Sequence, residues 1–388
     1  MKILYISGAN FPSEVSHTLS KMRMCQALTD AGHDVTLSAF GKSEFESNII
    51  EYYGLKGGFS LNLINIPFWL DNPWLKKIHL HKLYAAFCNR GVINRFKPDI
   101  IYSRLTLFEL IFIPKGLSVI YEMHSLGFLG KKWPAPSLFK LLVSRKSFVR
   151  FVSSTNALAC LLRAKFPKKD IVIARLSAEL PIEIDTIKLS DFKNKQLQGQ
   201  QFEHHVGYTG YLDTVGLRGT EIICQLAVEI PNIAFHIVGG DKTAVKHWKE
   251  LKKCNTSNNN LFFYGHRNSS EIPYFLNCFD VVLAPLQHRP TSRAPIGENM
   301  SPLKLPQYMA YKKAIIASDL PAHREILDEK RTALLVKCDN IDAWVMAVKS
   351  LIKSPDRRNN MGLRAYHDYL KSYTPAGRVR SIIDKDML

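Results

Sequence analysis

Cysteine is scarce and scattered in this chain. The seven cysteines, Cys25, Cys88, Cys160, Cys224, Cys254, Cys278 and Cys338, lie far apart, with no C-x-x-C pair among them. That excludes a disulfide scaffold and is the pattern of reduced core thiols in a cytosolic protein. The 13 histidines include no H-E-x-x-H and no Cys/His pairing at ligand spacing, so no metal site is expected. Long apolar runs are lacking too. Ile3–Ile6 is cut short by Ser7 and Gly8, too soon for a signal-peptide core. No stretch reaches the roughly 18 apolar residues of a membrane-spanning helix. Acidic residues are missing over one long segment: Met123–Lys169 carries ten Lys or Arg and no Asp or Glu.

The 388 residues are enough for two domains, at most three. Hydrophobic residues at 46% and charged residues at 22% exclude a disordered or collagen-like chain. The unusual quantity is charge: 52 Lys and Arg against 34 Asp and Glu give +18. Residues 51–150 hold 15 basic and 5 acidic residues, whereas residues 201–250 hold four and six. An uneven excess with a basic zone in the first half points to nucleic acid, an anionic membrane or phosphorylated ligands as partners, and not to a fold.

Short apolar runs alternate with helical periodicity. Lys2–Ile6, Asp34–Phe40, Asp99–Ser103, Val119–Glu122, Val149–Ser153 and Ile171–Arg175 read as buried parallel strands, with a helix over Thr18–Ala31. Residues 185–203 turn polar and aperiodic and read as a linker. A second series follows: Val206–Thr209, Ile233–Val238, Asn260–Tyr264, Asp280–Pro285, Ala314–Ser318 and Thr332–Val336, with helices between them. The expected fold class is α/β: two Rossmann-like, doubly wound parallel-sheet domains with an interdomain cleft. The first spans 1–184 and the second 204–365, with a C-terminal helix and tail over 366–388 that is free to return to the first domain. Ligands of such sheets bind beyond the carboxyl ends of strands.

The densest constellation is Met300–Leu327. Ser301 and Pro302 look like a helix start, with Ser as cap and Pro in the first turn. Lys304 then sits in a first turn whose dipole opposes a cation, and a bound diphosphate would satisfy both. An ordinary capped helix with a solvated lysine fits the same string. In the first half, Glu122 and His124 end a strand two residues apart and share one face. A structural hydrogen bond and a place in the site are both open to them. Arg104, ending the strand before, is placed to pair with Glu122 or to reach the cleft.

The strings SPLKL, YMA and ASDLP over Ser301–Pro321 resemble the donor region of glycosyltransferase family 4, retaining enzymes of the GT-B fold. The resemblance extends to Ser13–Thr36, Asp99–Arg104, Tyr121–Ser125, Gly207–Gly219, Tyr264–His266 and Asp280–Pro285. It implies a hexosyltransferase-type enzyme without metal or cofactor, using a nucleotide-sugar as co-substrate and a glycan or lipid-linked acceptor, as in surface polysaccharide or glycolipid synthesis. By the same resemblance, Ser301, Pro302 and Leu303 would present backbone N–H groups to the diphosphate, with Lys304 and Arg218 neutralising it. Gly265, His266 and Arg267 would border the base, and His124 would face the donor sugar. Ser16 and His17 stand where the family has an early glycine pair on the acceptor side, with Arg104 and Glu122 near the cleft. The family's paired glutamates fall on Asn299 and Gln307, with Glu298 one place off, and Tyr211 replaces a usual Arg. Gln307 remains able to hydrogen-bond a ribose as a neutral group.

The basic zone gives a second expectation. Ser137–Arg150 reads as an amphipathic basic helix, and Lys131, Lys132, Trp133, Lys140, Arg145, Lys146 and Arg150 are candidate contacts to an anionic membrane on its cytoplasmic face. Packing of the apolar side into the core is the alternative. Two other readings compete with glycosyl transfer: a nucleotide-sugar epimerase or hydrolase of the same fold, and a basic membrane- or nucleic-acid-binding protein. No RNA or DNA motif occurs, so no nucleic-acid partner is expected. The only D-x-D string, Asp384-Lys385-Asp386, reads as a charged terminus.

Overall fold

The computed structural model describes residues 1–13, 16–42, 44, 46–77, 79–104, 112–124, 135–251, 259–287 and 302–383. The chain divides into two compact units: Met1–Arg175 with Pro375–Leu388, and Leu176–Thr374.

The first unit holds a seven-stranded parallel sheet in the order β3-β2-β1-β4-β5-β6-β7. Its strands are β1 (Lys2–Phe11), β2 (Asp34–Gly41), β3 (Ser60–Ile64), β4 (Ile100–Ser103), β5 (Ser118–Met123), β6 (Phe148–Ser153) and β7 (Asp170–Ile173). Both faces are buried, as the continuous apolar runs require. In β1, Ile3 and Tyr5 join a cluster with Met22, Leu28, Val35, Tyr102 and Ile382. The alternate residues Leu4 and Ile6 pack on the other face with Ile101, Tyr121, Phe139 and Phe151. The helix Pro375–Ile382 belongs to this unit, with Val379 and Ile382 in its core.

The second unit holds a six-stranded sheet in the order β10-β9-β8-β11-β12-β13. Its strands are β8 (His205–Thr209), β9 (Ala234–Val238), β10 (Leu261–Gly265), β11 (Val281–Ala284), β12 (Ala314–Ser318) and β13 (Ala333–Val336). All pair in parallel. The strand order reverses direction between β8 and β11 and, in the first sheet, between β1 and β4. Those are the switch points where open α/β sheets receive ligands.

Four expectations are corrected. The polar segment read as a linker forms the helix Thr186–Gln196. The Asp185 carboxylate caps it, accepting from Ile187 N at 2.8 Å. Leu189 and Phe192, three apart, anchor it on the second unit, with Phe192 stacked on Tyr274. An exposed helix held by two apolar residues carries little periodicity. The basic helix is shorter than expected, Ala135–Val143, and Phe139, Leu142 and Val143 turn into the core. Arg150 lies in β6, where Nε donates to Asp170 at 2.5 Å and Nη1 to the Ile382 carbonyl at 2.7 Å. It is buried and is not a membrane contact. Lys140 and Lys146 are exposed and Arg145 half-buried, while Lys131, Lys132 and Trp133 lie outside the described residues. Cys25, Cys88, Cys160, Cys278 and Cys338 are free thiols, whereas Cys224 is disulfide-bonded, contrary to the expectation of reduced thiols throughout. Among the described residues no helix is long and apolar enough to cross a membrane, and no metal-binding cluster occurs.

Candidate active site

In the first unit, β5 delivers Glu122 and His124 on one face. The Glu122 carboxylate is buried and gathers four groups. Tyr102, on β4, donates its hydroxyl to Oε2. His124 Nε2 meets Oε1. Arg378 Nη2, from the helix Pro375–Ile382, donates to Oε1 at 2.8 Å. Arg104 Nε lies 4.0 Å away. Burial by itself would raise the Glu122 pKa, but the Arg378 charge, then His124 and Arg104, outweigh it and hold the carboxyl well below its usual range. An ionised carboxylate only accepts, so Nε2 of His124 carries the shared proton. Burial lowers the His124 pKa against the pull of Glu122. The imidazole is therefore neutral near pH 7, and Nδ1 is an acceptor without a partner among the described residues.

These positions sharpen the sequence reading. Arg104 pairs with Glu122. Glu122 itself is buried, with its carboxylate bonded to these neighbours. His124 keeps 23% of its side chain exposed. Ser16 and His17 open the helix Ser16–Asp30, and their side chains lie outside the described ones.

In the second unit, the carboxyl end of β8 meets the helix Lys304–Ala310. Tyr308 ties the two together, its hydroxyl accepting from Thr209 N at 2.9 Å. Lys304 is thereby held with Nζ 3.7 Å from the centroid of the Tyr208 ring, a cation–π geometry. Burial, then the charge of Arg218, push the Lys304 pKa well below the usual lysine range. Among the described residues, neither cation has a carboxylate within ion-pair distance.

The loop after β8 is shaped for this arrangement. The Asp213 carboxylate accepts from Val215 N, Leu217 N and Arg218 N at 2.9–3.0 Å. The Trp248 indole donates to the Asp213 carbonyl at 2.7 Å. Arg218 is placed 5.8 Å over the Tyr211 ring. Gly219 follows at φ +75°, where a Cβ would stand 1.6 Å from the Pro285 carbonyl oxygen. No other residue fits there without moving the chain.

The remaining donor candidates fall around this end of the sheet. Gln307, one turn along from Lys304 and on the same helix face, is half-buried with no side-chain hydrogen bond among the described residues. Gly265 ends β10 at φ +69°, His266 is exposed, and Arg267 lies over Tyr264 with Nη1 3.5 Å from Glu271. The helix start is corrected: it begins at Lys304, after Leu303 as cap and with no side-chain cap bond. Pro302 precedes it and offers no N–H, so only its carbonyl takes part, accepting from Leu305 N at 3.3 Å. Ser301, Glu298 and Asn299 lie outside the described residues.

Sequence reasoning missed Arg378, Asp213, Tyr208 and His323. His323 is buried near Lys304. It donates from Nδ1 to the Ser318 carbonyl at 2.7 Å, and burial pushes its pKa down to about 4.

Comparison with known proteins bears on the fold and on the second unit. No curated protein sequence matches the chain. A glycosyltransferase from Rickettsia africae superposes with a TM-score of 0.71 at 14% identity, over 98% of this chain and 96% of that one. Sucrose-phosphate synthase from Thermosynechococcus elongatus gives 0.70 at 14% identity over 98% and 96%. Anabaena Alr3699/HepE, in complex with UDP, gives 0.70 at 14% identity over 98% of both chains. The chain thus has two Rossmann-like parallel-sheet domains of the GT-B type, and its residues 200–368 match the family model of group 1 glycosyl transferases.

Proposed function

We propose that the protein is a retaining glycosyltransferase that moves a sugar from a nucleotide-sugar donor to a glycan or lipid-linked acceptor. The observation that carries this reading is the pair Lys304 and Arg218, cations with no carboxylate partner among the described residues, one of them desolvated. A donor diphosphate supplies the missing negative charge. Charge grows on that diphosphate as its bond to the sugar breaks, and cations already fixed in place stabilise the transition state without reorganising. Gln307 takes the ribose hydroxyls as a neutral group. The match of residues 200–368 to group 1 glycosyl transferases and the UDP held by Anabaena HepE support a nucleotide donor.

On the first unit, Nδ1 of His124 accepts a hydroxyl hydrogen of the sugar beside the reacting carbon. The leaving phosphate oxygen takes the acceptor hydroxyl's proton on the face it departs from, which gives retention. No side chain is assigned as a base, and the leaving group's charge is assigned to Arg218 and Lys304 rather than to a metal. Lys140 and Lys146, with Leu141 67% exposed between them, support reversible docking on the cytoplasmic face of an anionic membrane. Donors and acceptors of surface-polysaccharide or glycolipid synthesis fit this placement.

Calorimetric titration with UDP and the other common nucleoside diphosphates tests the donor site. Binding by at least one is expected, and binding by none, as the diphosphate or its sugar, overturns the reading. Sedimentation with anionic and neutral vesicles tests the membrane claim, and equal partitioning contradicts it.

A further inference from the structure

The helix Pro375–Ile382 carries one charged group into the core of the first unit. Arg378 is 5% exposed, and its Glu122 partner is equally buried. Besides the bond to Glu122, Nη1 donates to the carbonyls of Ala174 at 2.7 Å and Arg175 at 2.6 Å. These are the residues that follow β7. The guanidinium is therefore fixed from two sides. A buried ion pair of this kind is a weak stabiliser, because desolvation consumes most of its attraction. Its geometry, however, bears on one other residue: Oε1 of Glu122 accepts from both Arg378 and His124.

We propose that Arg378 is a positioning residue, which pins the Glu122 carboxylate so that the Nε2–H of His124 stays bonded there and Nδ1 stays open as an acceptor. The proposal rests on the reading of His124 as a transition-state contact. The groups facing the pair are Tyr102 and Arg104 at β4, Tyr5 on β1 and Arg378 on the C-terminal helix, with Cys25 of the helix Ser16–Asp30 beyond Tyr5. Arg104 is at 4.0 Å and partly exposed, so Arg378 is the close, dry counter-charge. With Arg378 gone, the buried carboxylate needs another cation. The nearest proton acceptor able to become one is His124. The imidazolium then forms at higher pH, and Nδ1 turns from acceptor to donor. The last stretch of the chain, remote in sequence, thus sets the protonation of the strand-end histidine.

Histidine nitrogen NMR on the intact protein reads this directly, with the His124 signal assigned by its loss in His124→Gln. Wild type is expected to show the Nε2–H tautomer and a midpoint below about 6.5. In Arg378→Gln, which keeps donors for the two carbonyls, the midpoint moves up by about one pH unit or more. Each unit costs about tenfold in neutral imidazole on the acid side, so the acid limb of donor turnover moves with it. Affinity for UDP, bound in the second unit, stays unchanged. Arg378→Lys restores a midpoint near wild type. An Nδ1–H tautomer in wild type, or a folded Arg378→Gln with an unmoved midpoint, overturns the proposal. Should Arg378→Gln not fold, the wild-type tautomer and the Arg378→Lys midpoint decide it. If wild type turns over no nucleotide-sugar, the glycosyl-transfer reading fails, while the NMR titration still decides the role of Arg378.

Discussion

Replacing Lys304 by Met separates a ligand site from a structural lysine. The ammonium is desolvated and faces Arg218 with no carboxylate among the described residues. A lysine whose folded pKa is depressed binds fewer protons folded than unfolded, so it lowers stability at pH values below its folded pKa. Lys304→Met should thus leave the melting temperature of the unliganded protein unchanged or raised. The liganded protein should behave in the opposite way. A charge-assisted bond to a phosphate is worth about 1.5–3 kcal/mol, so affinity for UDP should fall roughly 10- to 100-fold. At 100 times its Kd, a ligand adds about 2.7 kcal/mol, and after a 100-fold loss of affinity the same concentration adds about 0.4. At about 2–4 °C per kcal/mol for a domain of some 200 residues, the UDP-induced shift should drop from about 5–10 °C to about 3–6 °C after a 10-fold loss and about 1–2 °C after a 100-fold loss. Differential scanning fluorimetry with and without UDP measures both. A full UDP shift in the variant, or an unliganded form that melts several degrees lower, refutes the reasoning.

Gly219→Ala should lower stability by about 1–3 kcal/mol, since φ +75° and the Pro285 carbonyl leave no room for a Cβ. Because Arg218 is displaced with it, UDP affinity should fall too, and wild-type values in denaturation and calorimetry would contradict this. Arg150→Ala should cost about 1–3 kcal/mol through its lost hydrogen bonds and leave vesicle binding unchanged. Lys140→Glu with Lys146→Glu should do the reverse, weakening anionic vesicle binding in sedimentation by about 1 kcal/mol or more per residue. Acid should destabilise the second unit. Burial lowers the pKa of His236 to about 3 and that of His323 to about 4. Both histidines are neutral when folded, while the unfolded chain takes up protons below about pH 6.5. Stability is therefore lost as pH falls from about 6.5 toward 4, at up to about 1.4 kcal/mol per unit for each group. Chemical denaturation at a series of pH values checks it, and a flat profile from pH 7 to 4 contradicts it.

Much of the fold was legible because buried parallel strands are short apolar runs. Asp34–Phe40 and Ala314–Ser318 show it, the latter strand lying where the sequence placed it. The strand Ser60–Ile64 was not, because it is short, pairs only with β2 and mixes Ser and Asn with Leu. The helix Thr186–Gln196 stayed hidden because it buries only one side of Leu189 and Phe192. At the site, Lys304 and Arg218 were visible as residues of a motif, and so were Glu122 and His124. The Arg378 contact was not, since a partner 256 residues from Glu122 in sequence leaves no local pattern. The absence of an N–H at Pro302 follows from the residue type alone, whereas the helix start at Lys304 depends on how Tyr308 anchors to β8.

The most direct test of the central claim is to incubate the protein with a panel of nucleotide-sugars. Phosphorus NMR reports nucleoside diphosphate release, and proton NMR the configuration of the sugar set free or transferred. The account predicts that at least one donor releases its diphosphate, with the anomeric configuration of the donor kept, and that release is lost in Lys304→Met. Inversion of configuration, or no release from any donor, would contradict it.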